Sequence, residues 1–250
     1  MASSCGAEVN NEIYHELGER WYTAKDDPIA LLRAESRARN PWVISEIKNV
    51  FPASLVKVLD IGCGAGFLSN ELAKEAFDVT GFDASEQSLR VARSHDKTGR
   101  VDYKIGNAHN LPFADGSFEV VTAMDFLEHV EDPAHIIAEA ARVLAPGGLF
   151  FFHTFNRNFI SWLIGIKGVE WFVKNTPPNL HLHRCFIKPA ELQKYCEQSG
   201  LAVRIIHGLA PVIMQSAFWK MVLHGTVDDS FRFAFTRSTM IGYIGIAAKI

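Results

Sequence analysis

A doubly wound α/β fold, with seven strands in a mostly parallel sheet and helices on both faces, is predicted by three observations. Short β-branched or aromatic runs alternate with helix-length segments from Val56 to Lys249, which is how a parallel sheet with crossover helices reads. The first of these runs leads directly into a glycine-rich turn and then a helical pattern. No fixed-period repeat or low-complexity tract interrupts the alternation, so the 250 residues read as a single domain. Composition agrees, because 48% hydrophobic and 21% charged residues suffice for one large core and rule out disorder.

The elements follow in order. Residues 1–50 read as an N-terminal helical cap, with an apolar patch at Ile29, Leu31 and Leu32 and with Pro41 at a first helical position ahead of Ile44, Ile47 and Val50. Residues 51–155 hold five strands, at 56–61, 79–82, 101–105, 118–123 and 149–154. Residues 156–184 are too long for an ordinary connection and read as an insertion. There Phe159, Trp162, Leu163, Ile166, Trp171 and Phe172 crowd around only Lys167, Glu170 and Lys174 as charges. The expectation is an apolar helical hairpin or lid, either covering the core or meeting lipid or an oily substrate. Residues 185–250 complete the sheet with a helix at 189–199, stopped by Gly200, and strands at 201–207 and 241–249.

A formal charge of −3 provides no overall positive field to neutralise a phosphate backbone, so nucleic acid is excluded as the main partner. Cys5, Cys63, Cys185 and Cys196 lie far apart without paired spacing, which argues against a zinc ribbon or disulfide scaffold and for a reducing compartment, the cytosol by default. The opening residues carry acids and no apolar signal core, and no run reaches the ~18 apolar residues that cross a bilayer. The chain is expected to be soluble or peripheral to a membrane. No feature fixes an oligomeric state.

The sharpest motif is the turn Gly62-Cys63-Gly64-Ala65-Gly66, followed by a helical pattern at Leu68 and Leu72. Glycines there let a ligand approach the backbone. The spacing is GxGxG rather than the GxGxxG of dinucleotide-binding turns, and Asp60, two residues ahead, would add negative charge beside a phosphate. An acid in that place suits a cationic group, such as the amino end of an amino-acid moiety. Asp83 closes the second strand, where a carboxylate accepts hydrogen bonds from vicinal ribose hydroxyls; Asp83-Ala84-Ser85-Glu86 also reads as a helix cap, with Ser85 itself the cap. Asn107 and Ala108 follow the third strand, with a side-chain amide for an adenine edge, and Leu111-Pro112-Phe113 then reads as turn and packing. Taken in order at successive strand ends, these residues point to an adenosine-containing ligand.

With LDIGCGAG, the Asp83 strand end, NLPFADGSFEVV and LAPGGLFFF in this order, the chain resembles the class I S-adenosylmethionine-dependent methyltransferases. MDFLEHVEDP, FFHTFNRNFISWL, the GVEW segment, His181 ahead of CFIKPAEL, and SGL resemble more closely the ubiquinone-biosynthesis O-methyltransferases, which methylate polyprenyl catechols. The resemblance implies a Rossmann-like sheet of seven strands with the last antiparallel. It implies S-adenosylmethionine held by Gly62, Gly64 and Asp83, with Met124 against the adenine, and a lipophilic phenolic acceptor. Two departures stand out. Where the subgroup has an arginine after Asn-Pro, this chain reads Asn40-Pro41-Trp42-Val43, so a contact to the cofactor carboxylate is missing or falls to Arg39 or Arg37. Residues 210–239, with Phe218, Trp219, Phe231, Phe233 and Phe235, also depart, which puts the acceptor in question.

Methyl transfer from a sulfonium is an in-line displacement that needs alignment and a free lone pair, so a phenol must lose its proton. Asp125, Glu128 and His129, at i, i+3 and i+4, point two carboxylates and an imidazole from one helical turn. They are candidate ligands for a hard divalent ion such as Mg²⁺, although imidazole is not its preferred partner. In the resembled subgroup Glu-Glu-His in these positions binds a divalent metal, and Asp125 is this chain's substitution for the first. The same segment also reads as packing and capping. Without metal, His129, His153 or His181 is the candidate base, and His181 is favoured because it stands beside the insertion. His135 and His183 read as surface residues. Asn156 and Arg157 read as orienting substrate, or as a cap and a surface ion pair. The predicted activity is O-methylation of a phenolic or catechol acceptor, and the alternative is transfer to a carboxylate or amine without metal. A binding protein that has lost the cofactor is disfavoured by Asp60, the glycines and Asp83, and a nicotinamide dehydrogenase by the glycine spacing.

Overall fold

The computed structural model describes residues 9–52 and 55–250; residues 1–8 of the expected cap, Cys5 among them, lie outside the described residues. Three helices open the chain, α1 (Ile13–Glu16), α2 (Arg20–Thr23) and α3 (Ile29–Val50). The alternation then runs β1 (Lys57–Ile61), α4 (Ser69–Lys74), β2 (Asp78–Asp83), α5 (Glu86–His95), β3 (Asp102–Ile105), β4 (Phe118–Met124), a 3-10 turn at Leu127–His129, α6 (Pro133–Val143) and β5 (Leu144–Phe155). Next come α7 (Phe159–Ser161), a π-helical stretch at Trp162–Gly168, α8 (Val169–Phe172) and a 3-10 turn at His183–Cys185. The chain closes with α9 (Pro189–Gln198), β6 (Leu201–Pro211), α10 (Ser216–His224), β7 (Phe233–Thr236) and β8 (Gly242–Lys249).

All seven expected strands are present, within a sheet of eight ordered β3-β2-β1-β4-β5-β8-β6-β7. The first five run parallel, and β8, the last strand, inserts antiparallel between β5 and β6. The eighth strand corrects the expected count: β7, only four residues long, pairs antiparallel with β6 at the sheet edge. It falls in the stretch that departs from the resembled subgroup.

Side-chain alternation builds two cores. Val58, Val120, Phe151 and Ile244 face α3 and α4 with Val43, Ile47 and Leu72, while Leu59, Val121, Phe150, Phe152 and Tyr243 face α6 and α9. Phe150, Phe151 and Phe152 are completely enclosed, and each full burial contributes about 1.5–3 kcal/mol. The strand order reverses at β1, which lies between β2 and β4, so the ends of β1, β2 and β4 open onto a common crevice.

Two expectations change. Pro41 is not at a helix start: α3 runs unbroken from Ile29 to Val50 with Pro41 inside and on its exposed side. Burial of Ile29, Ala30, Ala34, Val43 and Ile47 on the other side offsets the lost backbone bond, which costs about 3 kcal/mol. The insertion forms one helical run from Phe159 through Phe172 rather than a hairpin. Asn158 caps it, accepting from Ser161 N at 3.0 Å. Among the described residues, no helix is long and apolar enough to cross a membrane.

Candidate active site

The glycine turn after β1 is held from both sides. Gly62 donates its N–H to the carbonyl of Phe82 at 2.8 Å, and Gly64 donates to Asp83 Oδ2 at 2.8 Å. Positive φ angles at Gly62 (+68°) and Gly64 (+51°) require glycine. A Cβ on Gly62 would overlap the Phe126 ring, and one on Gly64 would stand 3.0 Å from the Trp21 indole. Trp21 stacks on Tyr14 at 5.5 Å, and Tyr22 Oη donates to the carbonyl of Ala65 at 2.9 Å, so α1 and α2 roof the turn.

Asp83 Oδ1 accepts Ser85 N at 2.8 Å, and Ser85, not Asp83, is the N-cap of α5. Two backbone donors thus orient the Asp83 carboxylate and leave a lone pair on each oxygen. Burial raises its pKa against these bonds. Asp60 is enclosed, accepting Thr122 Oγ1 at 2.6 Å on one oxygen and Ser69 Oγ at 2.6 Å on the other, and burial raises it too. Asn107 Oδ1 accepts the backbone N–H of His109 at 2.9 Å, which leaves only its amide NH₂ for a ligand, while Ala108 and Met124 are buried beside it along the same cavity.

Asp125 does not share a face with Glu128 and His129. Its φ of +51° turns the side chain out of that turn, toward an ion pair with Arg39 Nη1 and a hydrogen bond with His153 Nδ1. Glu35 Oε1 lies 3.4 Å from His153 Nε2, extending a buried row of ionisable groups, Glu35, His153, Asp125 and Arg39. Burial works against ionisation of Asp125, but Arg39 and His153 overcome it and hold the carboxyl well below the usual range. Burial also disfavours the His153 cation, yet Glu35 and Asp125 raise its pKa. Glu35 itself is raised to about 7, chiefly by burial.

Glu128 and His129 meet His181 instead, with ligand atoms within 4.8 Å of one another. Thr154 Oγ1 donates to Glu128 Oε2 at 2.8 Å, while Glu128 Oε1 and His129 Nδ1 are buried without a partner. Burial, with Asp125 nearby, raises Glu128 to about 8. Burial lowers His129 to about 4, and burial together with His129 lowers His181 to about 3. His135 is exposed, as expected, whereas His183 is half-buried and bonds the carbonyl of Asn158 at 3.1 Å. Asn156 Nδ2 donates to the carbonyl of Thr239 at 2.8 Å and Arg157 pairs with Glu191, so both have structural partners.

Asp83, Asp125, His129 and His181 line one cavity of about 1000 Å³, while Glu128 and His153 are fully enclosed behind its wall. Its polar end holds the glycine turn, Asp83 and His129, and its apolar walls include Leu163, Trp171, Phe218 and Trp219 from the insertion and α10. The volume lies at the upper end of the range for ligand pockets, about 300–1,000 Å³. Sequence reasoning missed Trp21, Tyr14 and Glu35. The available signal for Glu35 was four polar residues, Glu35, Ser36, Arg39 and Asn40, on the buried face of α3 at helical spacing.

Comparison with known proteins agrees with this architecture. Residues 59–152 match the family model described as a methyltransferase domain. A ubiquinone biosynthesis O-methyltransferase from Thiobacillus denitrificans is 38% identical over 212 residues, covering 84% of this chain and 88% of that protein. One from Aromatoleum aromaticum is 38% identical over 202 residues, covering 79% and 83%. Among solved structures, magnesium protoporphyrin IX methyltransferase from Synechocystis aligns over 98% of this chain and 90% of that one, with a TM-score of 0.60 at 15% identity, a likeness of fold. From fold, glycine turn and relatives together, the chain belongs to the ubiquinone biosynthesis O-methyltransferase family of S-adenosylmethionine-dependent methyltransferases.

Proposed function

We propose that this methyltransferase acts on the phenolic oxygen of a lipophilic catechol, a quinone precursor of the kind its relatives' names imply, and that the four sequence segments work as one domain. The supporting observation is the continuity of one cavity from the glycine turn past Asp125, His129 and His181 to apolar walls at Trp171 and Trp219.

In this reading the backbone of Gly62 and Gly64 receives the cofactor, Asp83 its ribose hydroxyls, Asn107 and Ala108 its adenine edge, and Met124 the ring face, while Asp60 complements its amino group. Gly66, expected beside them, instead packs against Tyr103 and Ala92 and shapes the turn. The cradle fits, because Asp60, Gly62, Gly64, Asp83, Asn107, Ala108 and Met124 all line the one cavity. When bound, S-adenosylmethionine supplies an electrophilic methyl group on a sulfonium. The chain's own residues align the acceptor and take its proton.

His129 and His181, at about 4 and about 3, stay neutral and are weak bases against a phenol of pKa ~10. Glu128, raised to about 8, is better matched; enclosed behind the cavity-lining His129 and His181, with ligand atoms within 4.8 Å, it is the proton acceptor reached by way of these imidazoles. The unpaired Glu128 Oε1 and His129 Nδ1, with His181, also fit a divalent cation, which would supply positive charge that lowers the phenol pKa. Two imidazoles suit a borderline ion better than Mg²⁺, which prefers oxygen. The exposed Trp171 and Trp219 at the cavity wall support peripheral contact with a membrane from the cytosol.

Product mass spectrometry after incubation with S-adenosylmethionine and a panel of short-chain and polyprenyl catechols, monophenols, amines and acids tests the reading. Methylated catechol oxygen is the expected product, and transfer to amines or acids alone overturns it.

A further inference from the structure

Tyr14, on α1, lines the cavity where the roof over the glycine turn meets the histidines. Its ring is fixed on two sides. It stacks on Trp21, whose indole reaches over Gly64, and it meets His129 edge-on, with centroids 5.7 Å apart and planes at 83°. The backbone is fixed as well: Ser88 Oγ of α5 donates to the Tyr14 carbonyl at 3.0 Å, and Asn11 Nδ2, just ahead of α1, donates to the carbonyl of His129 at 3.1 Å. Tyr14 therefore spans the interval from the glycine turn to His129.

The hydroxyl has no role in holding this arrangement. Tyr22, Tyr103 and Tyr243 donate theirs to the Ala65 carbonyl, Asn70 Oδ1 and the Ile187 carbonyl. Tyr14 Oη makes no hydrogen bond with any described residue. A tyrosine hydroxyl packed inside a protein ordinarily finds a partner, so one left unused on a cavity wall is a donor kept for what the cavity binds. Burial, and after it the charges of Glu128, Asp125, Asp27 and Asp83, push its ionisation further up and keep it a donor.

We propose that the Tyr14 hydroxyl is a specificity-determining donor that binds the acceptor's ring oxygen next to the one being methylated. This rests on reading the acceptor as a catechol. In-line transfer sets the attacked oxygen between the cofactor and the proton-accepting group, which is the interval that Tyr14 spans. The attacked oxygen has to lose a proton, and a donor is the wrong partner for that. The neighbouring oxygen keeps its proton and has a lone pair to accept with. A monophenol lacks that oxygen and leaves the donor unpaired, so one hydrogen bond separates two acceptors of otherwise similar shape.

Kinetics on the full chain with a catechol and the monophenol bearing the same side chain test this, alongside calorimetry of both acceptors on the S-adenosylhomocysteine-loaded protein. Tyr14→Phe keeps the ring between Trp21 and His129 and removes only the hydroxyl. It is expected to lower kcat/KM for the catechol by about 3- to 10-fold relative to the monophenol, with the loss in KM, because a bond to a non-reacting oxygen is made equally before and during transfer. The calorimetric affinity ratio is expected to fall by the same factor while S-adenosylhomocysteine affinity is unchanged. An unmoved ratio, or equal losses for the two acceptors, overturns the proposal, as does a fall in S-adenosylhomocysteine affinity that accounts for the rate. A wild-type chain that methylates only amines or acids overturns the catechol reading and this role with it; catechol transfer with an unmoved ratio overturns the role alone.

Discussion

Gly64 donates its backbone N–H to Asp83 Oδ2 at 2.8 Å, tying the turn after β1 to the end of β2. One carboxylate therefore shapes the turn and faces the cavity. Asp83→Ala is expected to lower S-adenosylhomocysteine affinity at least about 10-fold and to destabilise the fold by about 1–3 kcal/mol, because Gly64 and Ser85 lose their acceptor. Calorimetry and urea unfolding measure the two losses separately.

Gly66 has φ +77°, and a Cβ there would overlap the Tyr103 hydroxyl, which donates to Asn70 Oδ1 at 2.7 Å. Gly66→Ala is expected to cost about 2–4 kcal/mol through backbone strain and overpacking. A shift of the urea midpoint at constant slope is the readout.

Stability is expected to fall as pH rises. Glu35 and Glu128 are raised to about 7 and about 8, so the folded chain keeps protons that the unfolded chain releases above its ordinary carboxyl range near 4.5. Their contribution is complete below that range and is lost through about 7 and about 8, with a slope of at most about 1.4 kcal/mol per pH unit for each group. Denaturation of Glu35→Gln and Glu128→Gln across this window should show a flatter decline than the wild-type chain.

Catalysis runs the other way. If Glu128 accepts the phenolic proton, the methylation rate rises as it ionises, with a midpoint near its value of about 8. Glu128→Gln is expected to lower the rate by about 10²- to 10⁴-fold and to abolish that midpoint. A pH–rate profile that the substitution leaves unchanged would remove Glu128 from the chemistry.

The apolar wall should act on chain length alone. Trp171→Ser combined with Trp219→Ser is expected to reduce kcat/KM for a polyprenyl catechol by about 10-fold or more while a short-chain catechol changes little, because each buried methylene contributes about 0.8 kcal/mol. Competition between the two acceptors in one reaction gives the ratio directly.

Much of the fold was legible because strand-forming runs and the glycine turn are local signals, and the acids at the ends of β1 and β2 lie at fixed offsets from them. The site was legible only as far as local geometry held. Asp125, Glu128 and His129 have helical spacing, but the left-handed backbone at Asp125 sends its side chain to Arg39 and His153, which are distant in sequence. His181 takes the vacated place from the last residues of the insertion. Pro41 misled for the converse reason: as a local signal it starts helices, and burial of the opposite side of α3 overrides it. Trp21 over Gly64 is a long-range contact with no spacing to announce it.

The sheet terminates on β3 and β7, each of four residues. Margins so short give a neighbouring chain little ladder to extend, and Asp102 and Lys104 place charge along one of them. Where many copies crowd together, strand-by-strand polymerisation is thus discouraged, and self-association has to proceed through helices and loops.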